Sequence, residues 1–204
     1  MKTRIELSAV LLIAIYISAE LIANITASKP VSVAGITVPA AVFIYALTFT
    51  LVDLVNERFG KQGARYVVYA AVAANLLLAG YVKLAAVLPA ASFYTGQEAF
   101  AAVLGSTPRI VAASLVAYFV SSLMDIEVFA WWRHRVGGHK WARVIASNAV
   151  STLVDSAIFI SIAFAGVFPL FELIKGQYIV KMAVTVVSVP LIYLMRDRKR
   201  EGGA

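Results

Sequence analysis

Long apolar runs, separated by short charged or proline-bounded turns, set the pattern of this chain. Six stretches are long enough to cross a bilayer: residues 5–27, 38–57, 64–88, 110–132, 143–167 and 177–195. At 1.5 Å per residue, about 20 helical residues cover a hydrocarbon core of ~30 Å. The second and sixth stretches barely reach that length, and the fifth has residues to spare for tilt. The first is too long for a cleaved signal sequence, carries Glu20, and ends on a poor cleavage sequence, so it reads as a retained helix. The predicted fold is all-α: a polytopic membrane protein of six transmembrane helices, forming a single integral membrane domain over residues 1–204.

Polar residues inside these runs fall at helical spacing. The fifth run carries Asn148, Ser151 or Thr152, Asp155 and Phe159 at steps of three and four, and the fourth carries Ser114, Tyr118, Ser121 and Asp125. The first offers Tyr16, Glu20 and Asn24; the sixth offers Gln177, Lys181, Thr185 and Ser188. Such stripes turn away from lipid, toward the bundle interior or a wet cavity.

Asp155 stands out among them. No other charged residue lies between Val144 and Leu170, and a lone carboxylate at the centre of a membrane helix costs ~3 kcal/mol on insertion scales. Glu20, Asn24 and Lys181 lie toward the outer side, so an outer-half pocket drawn from the first, fifth and sixth spans is expected. The competing structural reading is an ion pair from Lys181 to Glu20 or Asp155 that only ties helices together. Asp53 and Asp125 lie near helix ends, and Asp53 with Glu57 is expected to pair with Arg58 or Lys61.

Composition strengthens the membrane reading. Of 204 residues, 61% are apolar and only 14% charged, with a mean hydropathy of +0.85, values typical of multi-spanning proteins. The net charge of +7 points to orientation rather than to nucleic acid. Of the 18 Lys and Arg residues, 13 fall on the side holding both termini and five on the other. That bias places both termini in the cytoplasm, and the basic turn "RHRVGGHK" acts as a topology signal, with anionic lipid as a lesser possibility.

The 89–108 connection is the longest. Two prolines bracket it, and "QEAFAAVL" within it is expected to form a short helix, either a lid or a plain surface connection. Ala19, Ala23 and Ala27 form a small-residue row, used for close helix packing or as a docking face for a partner subunit.

Several chemistries are excluded. There is no cysteine, no Walker-type glycine loop and no G-x-S-x-G, and His134 and His139 lack HExxH spacing. No metal site, cofactor or nucleotide hydrolysis is expected, and an enzyme is the least favoured class.

The chain resembles the queuosine precursor transporters, six-helix proteins of the vitamin-uptake type. The resemblance runs from the first span to the sixth. It rests on "LIANITASK" (21–29), "TFTLVDLVNERFG" (48–60), "AFAAVLGSTPRIVAASLVAYFVSSLMDIEVF" (99–129), "RVIASNAVSTLVDSAIFISIAF" (143–164) and "KMAVTVVSVPLIY" (181–193). It implies import of 7-deazaguanine precursors of the tRNA modification queuosine, the 7-cyano or 7-aminomethyl compound, through the inner (cytoplasmic) membrane. The implied fold is similar to the substrate-binding subunits of energy-coupling vitamin importers.

The residue chemistry agrees. A deazaguanine offers adjacent ring N–H and amine donors for a carboxylate, a carbonyl needing a donor, and a flat ring needing an apolar wall. The candidate substrate residues are Glu20, Asn24, Tyr118, Asn148, Ser151, Asp155, Gln177 and Lys181. The expected partners are a small-molecule substrate, the lipid bilayer, and either an energising partner or a second copy. Two alternatives remain: a binding subunit for another vitamin-like solute that docks a separate ATPase, and a membrane scaffold that transports nothing.

Overall fold

The computed structural model describes residues 6–135 and 140–201. At some helical positions only the backbone is described. The side chains of Asp53, Glu57, Lys61, Asp125, Ser188, His134 and His139 lie outside the described residues, and with them the expected pairing of Asp53 and Glu57 with Arg58 or Lys61. The chain is mostly helical, in the order α1 (Leu7–Thr26), β1 (Pro30–Val33), β2 (Ile36–Pro39), α2 (Val42–Val87), α3 (Gln97–Leu104), α4 (Thr107–Arg135), α5 (Lys140–Phe164) and α6 (Leu170–Glu201). It divides into two compact units, Met1–Leu115 and Val116–Ala204, with the boundary inside α4.

In the first unit, α1 packs along α2. Tyr16 and Ala19 of α1 form one buried cluster with Leu51 and Val55, and also with Val67 and Ala71. Those four residues lie on either side of Gly60, whose backbone angles (φ 68, ψ 176) are non-helical. The chain therefore turns back at Gly60, and both halves of α2 flank the same stretch of α1. The conformation belongs to a region essentially reserved for glycine. Two spans were expected here, separated by a basic turn at residues 58–63; one glycine makes the break, and helix continues on both sides. Ala19, Ala23 and Ala27 are all buried within the chain. The row considered as a docking face thus serves internal packing, where small side chains let helices approach closely.

A β-hairpin modifies the all-α expectation. Strands β1 and β2 pair antiparallel from Pro30↔Pro39 to Val33↔Ile36, joined by Ala34 and Gly35, both at positive φ (51 and 78). Two consecutive positive-φ residues are the turn geometry that matches the twist of paired strands. Residues 38 and 39, expected in the second span, are instead the end of β2, and the following helix begins at Val42.

The "QEAFAAVL" segment is helical, as expected, and forms α3. No residue of α3 is buried; it rests against α2, where the Gln97 side-chain amide donates to the Ala86 carbonyl at 3.0 Å.

In the second unit, α5 and α6 pack as a helical hairpin. Gly166, at φ 80, lies just past the end of α5, and Pro169 immediately precedes α6, a glycine-stop and proline-start arrangement. The rings of Phe159, Phe164 and Phe168 stack around this connection, Phe159 edge-on to Phe164 at 5.9 Å and Phe168 tilted at 5.5 Å. Helix α6 begins at Leu170, a full turn and more ahead of the expected start at Gln177.

Among the described residues, three helical segments are long and apolar enough to cross a membrane: Leu7–Thr26, Gln62–Val87 and Gln97–Met124, the last joining α3 to α4. The apolar run Asn148–Phe164 is shorter. Large apolar side chains such as Leu77, Tyr81 and Phe119 project outward on these helices, as lipid-facing surface requires.

Candidate functional site

Among the described residues, a buried or half-buried polar centre lies in each unit; Arg58 with Glu6 and Ser8 forms a further, exposed cluster in the first. In the first unit, Asn24 of α1 meets Asn75 of α2. The Asn24 amide nitrogen donates to Asn75 Oδ1 at 2.7 Å and to the Glu20 carbonyl at 3.2 Å. Asn75 in turn donates to the Ala71 carbonyl at 3.0 Å. Both asparagines are buried. Such bonds hold membrane helices together at a cost to neither backbone, because amides in hydrocarbon otherwise lack partners. Both Asn24 amide hydrogens are spent on these two bonds, so Asn24 can only accept from any further partner. Its expected use as a donor to a ligand carbonyl is therefore not available in this arrangement. Glu20 lies half-buried one turn before Asn24.

Asn75 was not singled out from the sequence. The signal was present: it is the only strongly polar side chain between Tyr69 and Tyr81, isolated in the same way as Asp155, though without a charge to advertise it.

In the second unit, α4, α5 and α6 each contribute to a compact charged centre. Lys181 of α6 forms an ion pair with Asp155 Oδ2 of α5. Ser121 of α4 donates from its hydroxyl to Asp155 Oδ1 at 3.4 Å. The side chains of Lys181 and Asp155 are 11% and 21% exposed, so the pair is largely desolvated while the carboxylate stays reachable. Of the two ion pairs considered for Lys181, the pair to Asp155 forms.

Its position follows from the hairpin. Asp155 and Lys181 lie at similar distances from the 165–169 connection, which brings them level on facing helices. Ser151 is buried one turn before Asp155 and donates to the Asn148 carbonyl at 3.4 Å; Asn148 is half-buried. Gln177 is buried one turn before Lys181 on the same face of α6. Tyr118 is 55% exposed and reaches the centre only through its backbone carbonyl, which accepts from Ser121 at 3.3 Å. Ser156, adjacent to Asp155, has a fully buried hydroxyl without a hydrogen-bond partner among the described residues.

Of the eight candidates, Asp155 and Lys181 are in direct contact, and Ser151, Asn148 and Gln177 occupy neighbouring turns of the same two helices. Glu20 and Asn24 belong to the first unit. Ser121, named from its stripe but not among the eight, is the third member of the charged centre.

Chemically, the second centre sets a negative acceptor and a positive donor side by side in a low-dielectric surround, where charge-assisted hydrogen bonds are strongest. Among the described residues, no three His, Cys, Asp or Glu side chains gather as metal ligands. The arrangement suits recognition of a polar solute.

Comparison with known proteins points the same way. The family model described as "Putative vitamin uptake transporter" matches residues 39–195. A protein of Bacillus subtilis (strain 168) named "Probable queuosine precursor transporter" is 30% identical over 176 residues, 84% of this chain and 77% of that protein. The "Queuosine precursor transporter" of Escherichia coli (strain K12) is 28% identical over 145 residues, 69% of this chain and 62% of that protein. No solved structure matches. The matched region takes in both halves of α2, all of α4 and α5, and the part of α6 that carries Lys181. The chain belongs to this vitamin uptake transporter family, and is a multi-pass membrane transporter rather than an enzyme.

Proposed function

We propose that this chain imports a queuosine precursor, a 7-deazaguanine with a cyano or aminomethyl substituent, across the cytoplasmic membrane. The observation that carries the reading is the half-buried Asp155–Lys181 pair, held by Ser121 in the midst of apolar helices. An ion pair so placed is costly to bury, and a solute that uses both charges supplies a reason to keep it. The names of the two relatives supply the chemical class of that solute.

In this reading Asp155 accepts from the ring N–H and the exocyclic amine, and Lys181 donates to the ring carbonyl. Ser151, Asn148 and Gln177 line the flanking turns. Glu20 and Asn24 form a second polar centre that accepts hydrogen bonds. The topology proposed with it has six membrane crossings and both termini in the cytoplasm, supported by the placement of 13 of the 18 Lys and Arg residues on that side. The reading includes a pocket that opens outward, as import requires.

The direct test is uptake of labelled 7-deazaguanines by cells unable to make them, with and without this chain. Saturable uptake that depends on the chain is the expected result. Absence of uptake for both the cyano and the aminomethyl compound, with the protein present in the membrane, would sink the proposal and favour the scaffold reading.

A further inference from the structure

Asp155 has four lone-pair positions on its two carboxylate oxygens, roughly two per oxygen. The hydroxyl of Ser121 uses one on Oδ1, and the ammonium of Lys181 uses one on Oδ2. Among the described residues these are its two partners, so one acceptor position is left on each oxygen. Two parallel N–H donors on adjacent atoms of a flat ring fit that pair without displacing Ser121 or Lys181.

Lys181 lies on the Oδ2 side, its ammonium paired with that oxygen. A carbonyl next to the second ring donor would meet that positive charge. The order read along the centre is acceptor, acceptor, donor. Its complement is donor, donor, acceptor: the exocyclic amine, ring N–H and carbonyl of a 2-aminopyrimidin-4-one. Phe159 lies one turn from Asp155 on the same face, its ring held edge-on against Phe164 at 5.9 Å, which gives the heterocycle an aromatic neighbour.

We infer that Asp155 and Lys181 recognise the 2-aminopyrimidin-4-one edge itself, not the second ring or its substituent, so that guanine and pterin heterocycles bind this centre in competition with the deazaguanine. The inference rests on the proposed function and widens its ligand class. It follows from where the charges are: both belong to one end of the ligand, and neither is needed elsewhere on it. Rings that present another edge are rejected for a physical reason. An adenine-type edge puts a bare ring nitrogen against the carboxylate and an amine against the ammonium, leaving like groups opposed and buried charges unpaired. A ring lacking only the exocyclic amine loses one charge-assisted bond.

The test is a competition series on the purified protein in detergent, with labelled 7-cyano-7-deazaguanine as probe. Guanine and pterin should displace it within about tenfold of unlabelled probe. A 7-deazahypoxanthine, lacking the amine, should be about tenfold to a hundredfold weaker, the equivalent of one charged hydrogen bond. A 7-deazaadenine should not compete. The Asp155→Asn variant adds a switch that a purely structural role would not produce. Its amide presents one acceptor and one donor, so preference should move from 2-amino toward 2-oxo rings, read as the ratio of 7-deazaxanthine to 7-deazaguanine affinity.

If 7-deazaadenine competes as well as guanine, or the variant weakens both rings alike, edge recognition at Asp155 is wrong. If the probe binds but neither guanine nor pterin displaces it, the inference fails while the transport proposal stands. If no deazaguanine binds at all, the transport proposal fails first. The series on the unsubstituted protein decides the matter even where the variant folds poorly.

Discussion

Replacing Lys181 by Met removes the ammonium and keeps an unbranched apolar chain of similar length. Among the described residues, Asp155 would then keep only the Ser121 hydroxyl, at 3.4 Å a long and weak hydrogen bond. Breaking a fully buried ion pair from one side costs ~3–5 kcal/mol, because the surviving charge is left without compensation. Here the two side chains retain 11% and 21% of their exposure, and the water that reaches them screens part of the loss. We expect Lys181→Met to destabilise the ligand-free protein by about 2 kcal/mol. Asp155→Asn, which strands the ammonium instead, should cost about as much.

The double variant, Asp155→Asn with Lys181→Met, strands no charge. Its stability should return to within ~1 kcal/mol of the starting protein, so the cycle should give a coupling energy well outside the additive range of ~0.5 kcal/mol. The assay is denaturant or thermal unfolding of the detergent-solubilised, ligand-free protein, followed by ligand binding on the folded fraction. The two readings of the pair part at the double variant. If the pair only fastens α5 to α6, restored stability brings restored binding. If it holds a solute, the double variant is stable and blind to the ligand. A double variant whose loss equals the sum of the two single losses refutes the coupling, and one that binds normally refutes the site.

Four further outcomes are expected. Gly60→Ala should cost ~1–3 kcal/mol from backbone strain alone, since no atom stands within 4 Å of an added Cβ there; an unchanged unfolding midpoint would place the break in α2 elsewhere. Asn75→Leu should cost about 1 kcal/mol, and little more when Asn24 is replaced as well, because the two amides share one bond; additive losses in a thermal-unfolding cycle would contradict that. Ala23→Leu puts a large side chain where the residue is 1% exposed, and overpacking of ~1–3 kcal/mol should appear as a lowered midpoint; a neutral result would mean that the α1 row is not packed inside the chain. Reporter fusions to the C-terminus should be active on the cytoplasmic side only, and an external signal would reverse the proposed orientation.

How far the site could be read from the sequence depended on cost. Asp155 and Lys181 stand out because a charge in an apolar helix is expensive and must be matched, whatever the fold. Asn75 obeys the same logic at a smaller cost, and its partner Asn24 was found while Asn75 itself was not. The β-hairpin escaped because span-counting absorbed Val38 and Pro39 into an apolar run, although alternating "VSV" and "ITV" around Ala34–Gly35 carry the period of paired strands. The Gly60 break falls inside the turn expected at residues 58–63; what the periodicity does not mark is the single residue where the chain reverses, because helix continues on each side. Helical spacing gives the face a residue occupies, and it does not say which face of another helix meets it.

One pairing was nevertheless within reach of the sequence. A short helical hairpin must set residues at equal height opposite one another. Asp155 lies about 14 Å back from the end of α5, and Lys181 about 17 Å beyond the start of α6, counting 1.5 Å per residue. Those heights differ by less than one helical turn of ~5.4 Å, within reach of a lysine side chain. Glu20, the other partner considered, belongs to α1 and has no such short connection to α6. The choice between Glu20 and Asp155 was thus a question of chain connectivity, and the Gly166–Pro169 turn, legible as a helix stop and restart, already favoured Asp155. The same geometry explains why the pair forms: two charges level on adjacent helices, tied at one side by a short turn, are held within direct reach of each other.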